Sequence, residues 1–160
     1  MKRKKQSSNQ VEVKAVNKKA KRDFVILETI EAGLELLGTE VKSLREAQVD
    51  LSGSYARVQN GQCWLVGTNI AAYRQAAGAN HEPERKRRLL LHKSEISKIK
   101  TKLEQRGFTL VPLRIYFNDK GLAKIELALA KGKRKYDKRK KIDEKTRKKD
   151  IDRDLKKYRR

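Results

Sequence analysis

Asn60-Gly61 stands between two short runs, residues 55–59 and 62–66, in which apolar and polar side chains alternate. Both central positions of a type I′ turn need positive φ, and Asn followed by Gly tolerates that best. The chain is thereby committed to a β-hairpin near its middle. A second hairpin is expected from residues 109–117 and 122–130, joined by residues 118–121. Its returning strand carries Ile125, Leu127 and Leu129 at the two-residue period of a half-buried strand. Residues 24–30 are rich in β-formers and read as a further strand. Glu31-Ala32-Gly33 interrupts it as a bulge or turn, and extended structure resumes over 34–37.

Two helices fit between these strands. Gly38-Thr39 can cap a short helix over 40–46, with Val41 and Leu44 on its buried side. Ser94 can cap a second, in which Ile96, Ile99 and Leu103 repeat at helical spacing before Gly107 stops it. Between them lie a long polar loop, residues 73–88, and Leu89-Leu90-Leu91, which reads as a short buried element. The pattern is mainly β, with about six strands. Small antiparallel sheets avoid open edges by closing, so an OB-like barrel is favoured. An open α+β sandwich is the competing architecture.

Charge divides the chain further. The formal net charge is +22, but it is unevenly spread. Residues 1–22 hold nine Lys and Arg against one acid, and residues 131–160 hold 17 against six, while the stretch between holds 16 against 13. The organisation expected is a basic disordered N-terminus over 1–16, a nearly neutral core over 17–130, and a basic tail over 131–160. Such arms imply a polyanionic partner, either nucleic acid or an acidic membrane surface. In the tail, Asp143–Arg147, Glu144–Lys148 and Asp152–Lys156 place acid before base at i, i+4. It has too few apolar residues to fold alone, so it is expected to be disordered when free and helical against RNA.

Nothing points to catalysis. His81 and His92 lack companions at metal-ligand spacing. No Gly-rich phosphate loop is present; Lys131-Gly132-Lys133 is a charge run with a single Gly. The lone cysteine, Cys63, excludes an intramolecular disulfide and reads as a small core residue. No signal-peptide pattern and no long apolar run occur, so a soluble cytosolic monomer without cofactor or metal is expected. Binding chemistry is more abundant. Arg85-Lys86-Arg87-Arg88, close to His92, offers an edge of phosphate contacts or else a solvated loop. Tyr136, set among Lys135, Asp137, Lys138 and Arg139, can stack on a base while its neighbours hold phosphates.

Several motifs taken together resemble the SsrA-binding protein (small protein B) family. They are Asn17-Lys18-Lys19-Ala20, Glu31-Ala32-Gly33-Leu34, Gly38-Thr39-Glu40-Val41-Lys42-Ser43-Leu44-Arg45 and Arg88-Leu89-Leu90-Leu91-His92. A last one runs from Ala130-Lys131-Gly132-Lys133 to Tyr136-Asp137-Lys138-Arg139. The resemblance implies an OB-like barrel that binds the tRNA-like domain of transfer-messenger RNA. It implies delivery of that RNA, with elongation factor Tu, to ribosomes that have stalled with no codon in the A site on their small subunit. It implies a tail that reads the empty messenger channel. By the same resemblance Glu31, Leu90 and His92 fall on the RNA-contacting surface, and Lys124 on a basic position of the barrel. Arg87 and Arg88 join them from the basic run. Lys131, Gly132, Lys133, Tyr136, Asp137, Lys138 and Arg139 form the ribosome-binding tail. His92 stands where Asn is common in the family, Tyr136 where His is common, and Thr39 where some members carry an aromatic residue.

Glu31 admits two readings. A carboxylate repels phosphate, so in an RNA surface it must face base edges, a 2′-hydroxyl or a basic neighbour. It could equally fix the bulge before Gly33. Two other functions compete with the main one: a ribosomal protein, or a nonspecific single-strand binder. The latter needs exposed aromatics on the barrel, and Trp64 and Tyr55 lie in a hairpin that could bury or expose them. A membrane-surface role fits poorly, since the tail lacks a broad apolar face.

Overall fold

The alternating C-terminal segments form the longest hairpin of the molecule, β8 (Phe108–Phe117) and β9 (Ala123–Gly132). The chain is seen here in a computed structural model that describes residues 12–76, 78–105 and 107–133. Register runs from Phe108↔Lys131 to Phe117↔Ala123, and Asn118 Oδ1 closes the turn by accepting the N–H groups of Lys120 and Leu122. The far edge of β9 pairs with β2 (Phe24–Leu34), from Phe24↔Gly132 to Gly33↔Lys124. The end of β2 passes to β7 (Arg87–Leu90), which pairs with β5 (Gln62–Val66). β5 returns through the Asn60-Gly61 turn to β4 (Tyr55–Gln59), and the φ values of +51° and +69° there are those of the expected type I′ turn. Pairing of Ala56 with Leu110 joins β4 to β8 and closes the ring. The result is the expected antiparallel, OB-like barrel.

Leu65, Leu110, Ile115, Ile125 and Leu127 fill the barrel and are fully buried. A second cluster, Val111, Leu113, Ala128 and Ala130, lies under Ala20 of helix α1 (Lys18–Asp23) on the outer side of β8 and β9. That cover explains why residues 110–113 of β8 are buried on both faces. Two more helices pack against the barrel, α2 (Gly38–Arg45) through Leu44 and α3 (Lys93–Leu103) through Ile99. A small two-stranded sheet, β3 (Val49–Asp50) with β6 (Asn69–Ile70), completes the described residues.

Four expectations are corrected. Residues 12–16 are a strand, β1 (Glu12–Val16), on the edge of β8 beyond its contact with β4. β1 covers an edge with its backbone and leaves Val13 and Val16 exposed, so it carries no hydrophobic period. Asn17 then anchors the chain: its Nδ2 donates to Leu51 O and Pro112 O, and its Oδ1 caps α1 at Ala20 N. The irregularity in β2 falls between Ile26 and Glu28, not at residues 31–33. Helices α2 and α3 start at Gly38 and Lys93, earlier than Gly38-Thr39 and Ser94 suggested as caps. The caps are Leu37 and His92, whose N–H groups donate to Glu40 and Glu95 at 2.7 and 2.8 Å. Leu90, finally, is half exposed; only Leu89 of its triplet is fully in the core.

The long loop after β6 is held by charge. Glu40, fully buried on α2, accepts from Arg85 at 2.5 and 2.7 Å and from Arg87 Nε at 2.9 Å. Arg87 is itself 0% exposed and spends its other donors on the carbonyls of Thr68, Pro83 and Arg85. It therefore cannot meet RNA, and its place among the expected RNA-binding residues is withdrawn. His81 adds a second tie, Nε2 donating to Ile70 O while Nδ1 meets Thr39 Oγ1. Burial pushes the Glu40 carboxyl up, but the hydrogen bonds from Arg85 and Leu37 and the two guanidinium charges outweigh it and hold it below the ordinary 4.5. A depressed carboxyl contributes stability above its unfolded value and loses it as pH falls through the folded one.

Glu40→Gln should accordingly cost about 3–5 kcal/mol in urea unfolding at neutral pH, because it strands a buried guanidinium. The variant should also lose part of the acid limb of the stability curve below the ordinary 4.5. A cost under about 1 kcal/mol would show that the loop is held by other means.

Candidate nucleic-acid interface

Strand alternation decides what β7 presents. With Arg87 and Leu89 turned inward, Arg88 and Leu90 must face out. β2 runs alongside, and Gly33 pairs with both Leu90 of β7 and Lys124 of β9. A Cβ at Gly33 would come within 3.1 Å of Leu90 Cβ and 3.3 Å of its Cδ1. Glycine therefore lets Leu90 lie down against β2. The chain next turns into α3 at His92, whose backbone is fixed by Glu95. These elements surround an open groove of about 480 Å³ lined by Glu31, Gly33, Arg88, Leu90, His92 and Lys124. Five of the six expected RNA-binding residues thus meet in one place, and Arg87 is the exception.

Glu31 has well-defined partners. Its carboxylate accepts a hydrogen bond from the Tyr116 hydroxyl and lies 3.2 Å from Lys124 Nζ. The Tyr116 hydrogen bond holds the carboxyl below the ordinary 4.5; slight burial opposes it and Lys124 assists. The Tyr116 phenol is pushed up to about 12, by burial and by the bond to Glu31. Tyr116 is braced in turn by Arg114, whose guanidinium sits 5.3 Å from the ring centroid and pairs with Glu126 at 2.5 Å. Glu31 is remote from the irregularity in β2, so it does not serve to fix a bulge. It remains about half exposed, ionised and on the wall of the groove. An ionised carboxylate there accepts hydrogen bonds only, which suits base N–H groups or a 2′-hydroxyl and excludes phosphate. Lys124 and Arg88 bring positive charge to the groove; Arg88 is paired at 2.6 Å with the exposed Glu35, a bond readily exchanged in solvent. Leu90 supplies an apolar surface.

The tail begins later than expected. Lys131 and Gly132 are paired with Val25 and Phe24 and belong to β9. Lys133 donates its N–H to Asp23 O and its Nζ to the carbonyls of Lys21 and Arg22, closing the end of α1. These three residues are part of the barrel's fabric, while Tyr136, Asp137, Lys138 and Arg139 lie outside the described residues. Tyr116 is a partner of Glu31 that the sequence did not reveal. A tyrosine inside an apolar strand reads as core, and only the cross-strand register brings its hydroxyl to Glu31.

Removing that hydroxyl should be visible in Glu31 alone. In Tyr116→Phe the carboxyl should titrate at higher pH than in the parent, moving towards the ordinary 4.5. The sign follows from losing the largest stabiliser of the ionised form. A carboxyl ¹³C titration checks it, and an unmoved midpoint would show that Lys124 alone tunes the group.

Comparison with known proteins shows the family. A family model described as "SmpB protein" matches residues 14–157. The SsrA-binding protein of Thermosipho melanesiensis is 51% identical over 144 residues, covering 90% of this chain and 95% of the relative. That of Halothermothrix orenii is 55% identical over 146 residues, covering 91% and 94%. A solved structure described as "tmRNA-SmpB: a journey to the center of the bacterial ribosome" superposes with a TM-score of 0.65 at 52% identity, covering 76% of this chain and 85% of the other. A family model that spans residues 14–157, with relatives about half identical over nine-tenths of the chain, assigns it: the chain belongs to the SmpB family.

Proposed function

We propose that the protein binds the tRNA-like domain of transfer-messenger RNA and delivers it to stalled ribosomes for trans-translation. The observation that carries this reading is the convergence of Glu31, Arg88, Leu90, His92 and Lys124 on one groove. Lys124 and Arg88 hold phosphates and set the register of the RNA. Leu90 meets the apolar face of a base or sugar. Glu31 and His92 meet polar edges, with Glu31 held by Tyr116 so that its acceptor is already oriented when RNA arrives. The chain catalyses nothing; it acts by holding RNA, in the cytoplasm and as a monomer. Elongation factor Tu joins through the aminoacylated RNA rather than through the barrel.

The remaining positive charge has a second task. Residues 134–160 hold 15 Lys and Arg against six acids and follow directly on the strand that ends at Gly132. We assign them, with Tyr136, Asp137, Lys138 and Arg139, to the empty messenger channel and the A site of the ribosome's small subunit.

Glu31→Ala and His92→Ala should each weaken binding to the tRNA-like domain by about 1–3 kcal/mol, the range for a polar contact in a desolvated site. Melting temperature should scarcely move in His92→Ala, whose side chain is exposed, and should fall only modestly in Glu31→Ala, where the Tyr116 hydroxyl loses its acceptor. Equal binding of an unrelated hairpin RNA of the same length would contradict the reading. Ending the chain after Lys133, which keeps β9 and the α1 contacts intact, should preserve RNA binding and abolish peptide tagging in a reconstituted translation system. Full tagging by that variant would remove the tail from the mechanism.

A further inference from the structure

Beyond Arg88 and Leu90, which line the groove, the outer face of β4, β5 and β7 carries side chains to which no role has been given. Ala56, Cys63, Leu65 and Leu89 of these strands are buried in the core. The intervening Tyr55, Arg57, Trp64 and Arg88 therefore face outward. Register places Arg57 opposite Trp64 and Trp64 opposite Arg88, so an indole stands in one row between two guanidiniums across three strands. Tyr55, 42% exposed, extends the row along β4. At its other end the row enters the groove directly, because Arg88 lines both.

The charges of this row are not consumed within the fold. Arg88 is tied only to exposed Glu35. Arg57 has no ion pair or hydrogen bond among the described residues, and its Nε is buried without an acceptor. The cation–π contacts of the described residues involve Tyr73, Phe117, Tyr116 and Phe108, so neither guanidinium covers the indole. Trp64 is half-buried, with part of its surface open to solvent.

We propose that this face is a stacking platform for RNA continuous with the groove. An unpaired nucleotide lays its base on Trp64 while the flanking phosphates meet Arg57 and Arg88. Stacking of this kind is tolerant of sequence, because every base offers a π-face. It is closed to double-stranded RNA, whose bases are already stacked within the helix. The platform thus selects single-stranded segments next to whatever the groove holds. It rests on the proposed function for which RNA is bound, but not for the stacking itself.

Trp64 is the chain's only tryptophan, so its fluorescence reports the platform directly. The full chain is titrated, at moderate salt, with a short single-stranded RNA, a duplex of equal length and the tRNA-like domain. The single strand should quench Trp64 and the duplex should not. Measured by anisotropy of labelled RNA, Trp64→Leu should bind the single strand about tenfold more weakly, and Trp64→Phe should recover most of the loss. Arg57→Gln, which removes the charge and keeps a polar side chain, should lower the salt dependence of single-strand binding by about one phosphate contact. Quenching by the duplex as strong as by the single strand, or undiminished binding by Trp64→Leu, overturns the platform. If the leucine variant does not fold, the phenylalanine and glutamine variants decide the matter alone. Quenching by the single strand without binding of the tRNA-like domain supports the platform and removes the proposed function. Binding of that domain without quenching by either RNA removes the platform and leaves the proposed function standing.

Discussion

The buried contact between Glu40 and Arg87 fixes the phase of the strand on which the interface is built. In a β-strand a slip of one residue turns every side chain to the opposite face. Arg87 is drawn inward by Glu40 and by three backbone carbonyls, so Arg88 and Leu90 must point out, one at each side of Leu89 in the core. Burying such a pair is seldom a net source of stability, because desolvation offsets most of the attraction. Its effect here is on specificity. A purely apolar β7 could pair with β2 and β5 in more than one register, whereas an arginine with four acceptors waiting has one.

That phase carries through to the chemistry of the groove. Leu90 comes to lie against Gly33, and Gly33 is the point where β2 leaves β9 for β7. The same crossing brings Glu31, Lys124 and Arg88 to one opening. An acidic group in a chain of net charge +22 is conspicuous on an RNA-facing surface. The Tyr116 and Lys124 contacts keep it ionised and hold it still, so that it discriminates against phosphate and favours hydrogen-bond donors. On the proposed reading, positive charge draws RNA to the barrel and Glu31 sets which orientations of it are accepted.

Much of this was legible in the residues themselves. Asn60-Gly61 and the alternation of Ile125, Leu127 and Leu129 act through local sterics and a period of two, and both hairpins stand where these signals put them. What escaped depends on partners distant in sequence. β1 turns only Ala15 toward the core and leaves Val13 and Val16 exposed, because it is held mainly by backbone bonds to β8. Arg87 and Arg88 are adjacent and chemically identical, and only the register of β7 sends one to the core and the other to solvent. Lys131 to Lys133 read as the start of a charged tail, yet β2 and α1 extend far enough to pair with them. Tyr116 reads as core and is largely buried, but its hydroxyl emerges at Glu31 on a neighbouring part of the sheet. The likeness in motifs carried the function further than the periodicities could, since it joined residues 31, 88–92 and 124 into one surface before any fold was in hand.

Retention of RNA in the groove is tested most directly by backbone amide shifts of the ¹⁵N-labelled full chain, followed while the tRNA-like domain is added. The largest changes should fall on residues 31–33, 88–92 and 124, with the α2 end of the barrel around Glu40 and Arg85 little affected. Changes centred on α2 and the loop before β7, with those around Glu31 and Leu90 unmoved, would place RNA elsewhere on the barrel and contradict the assignment of the groove.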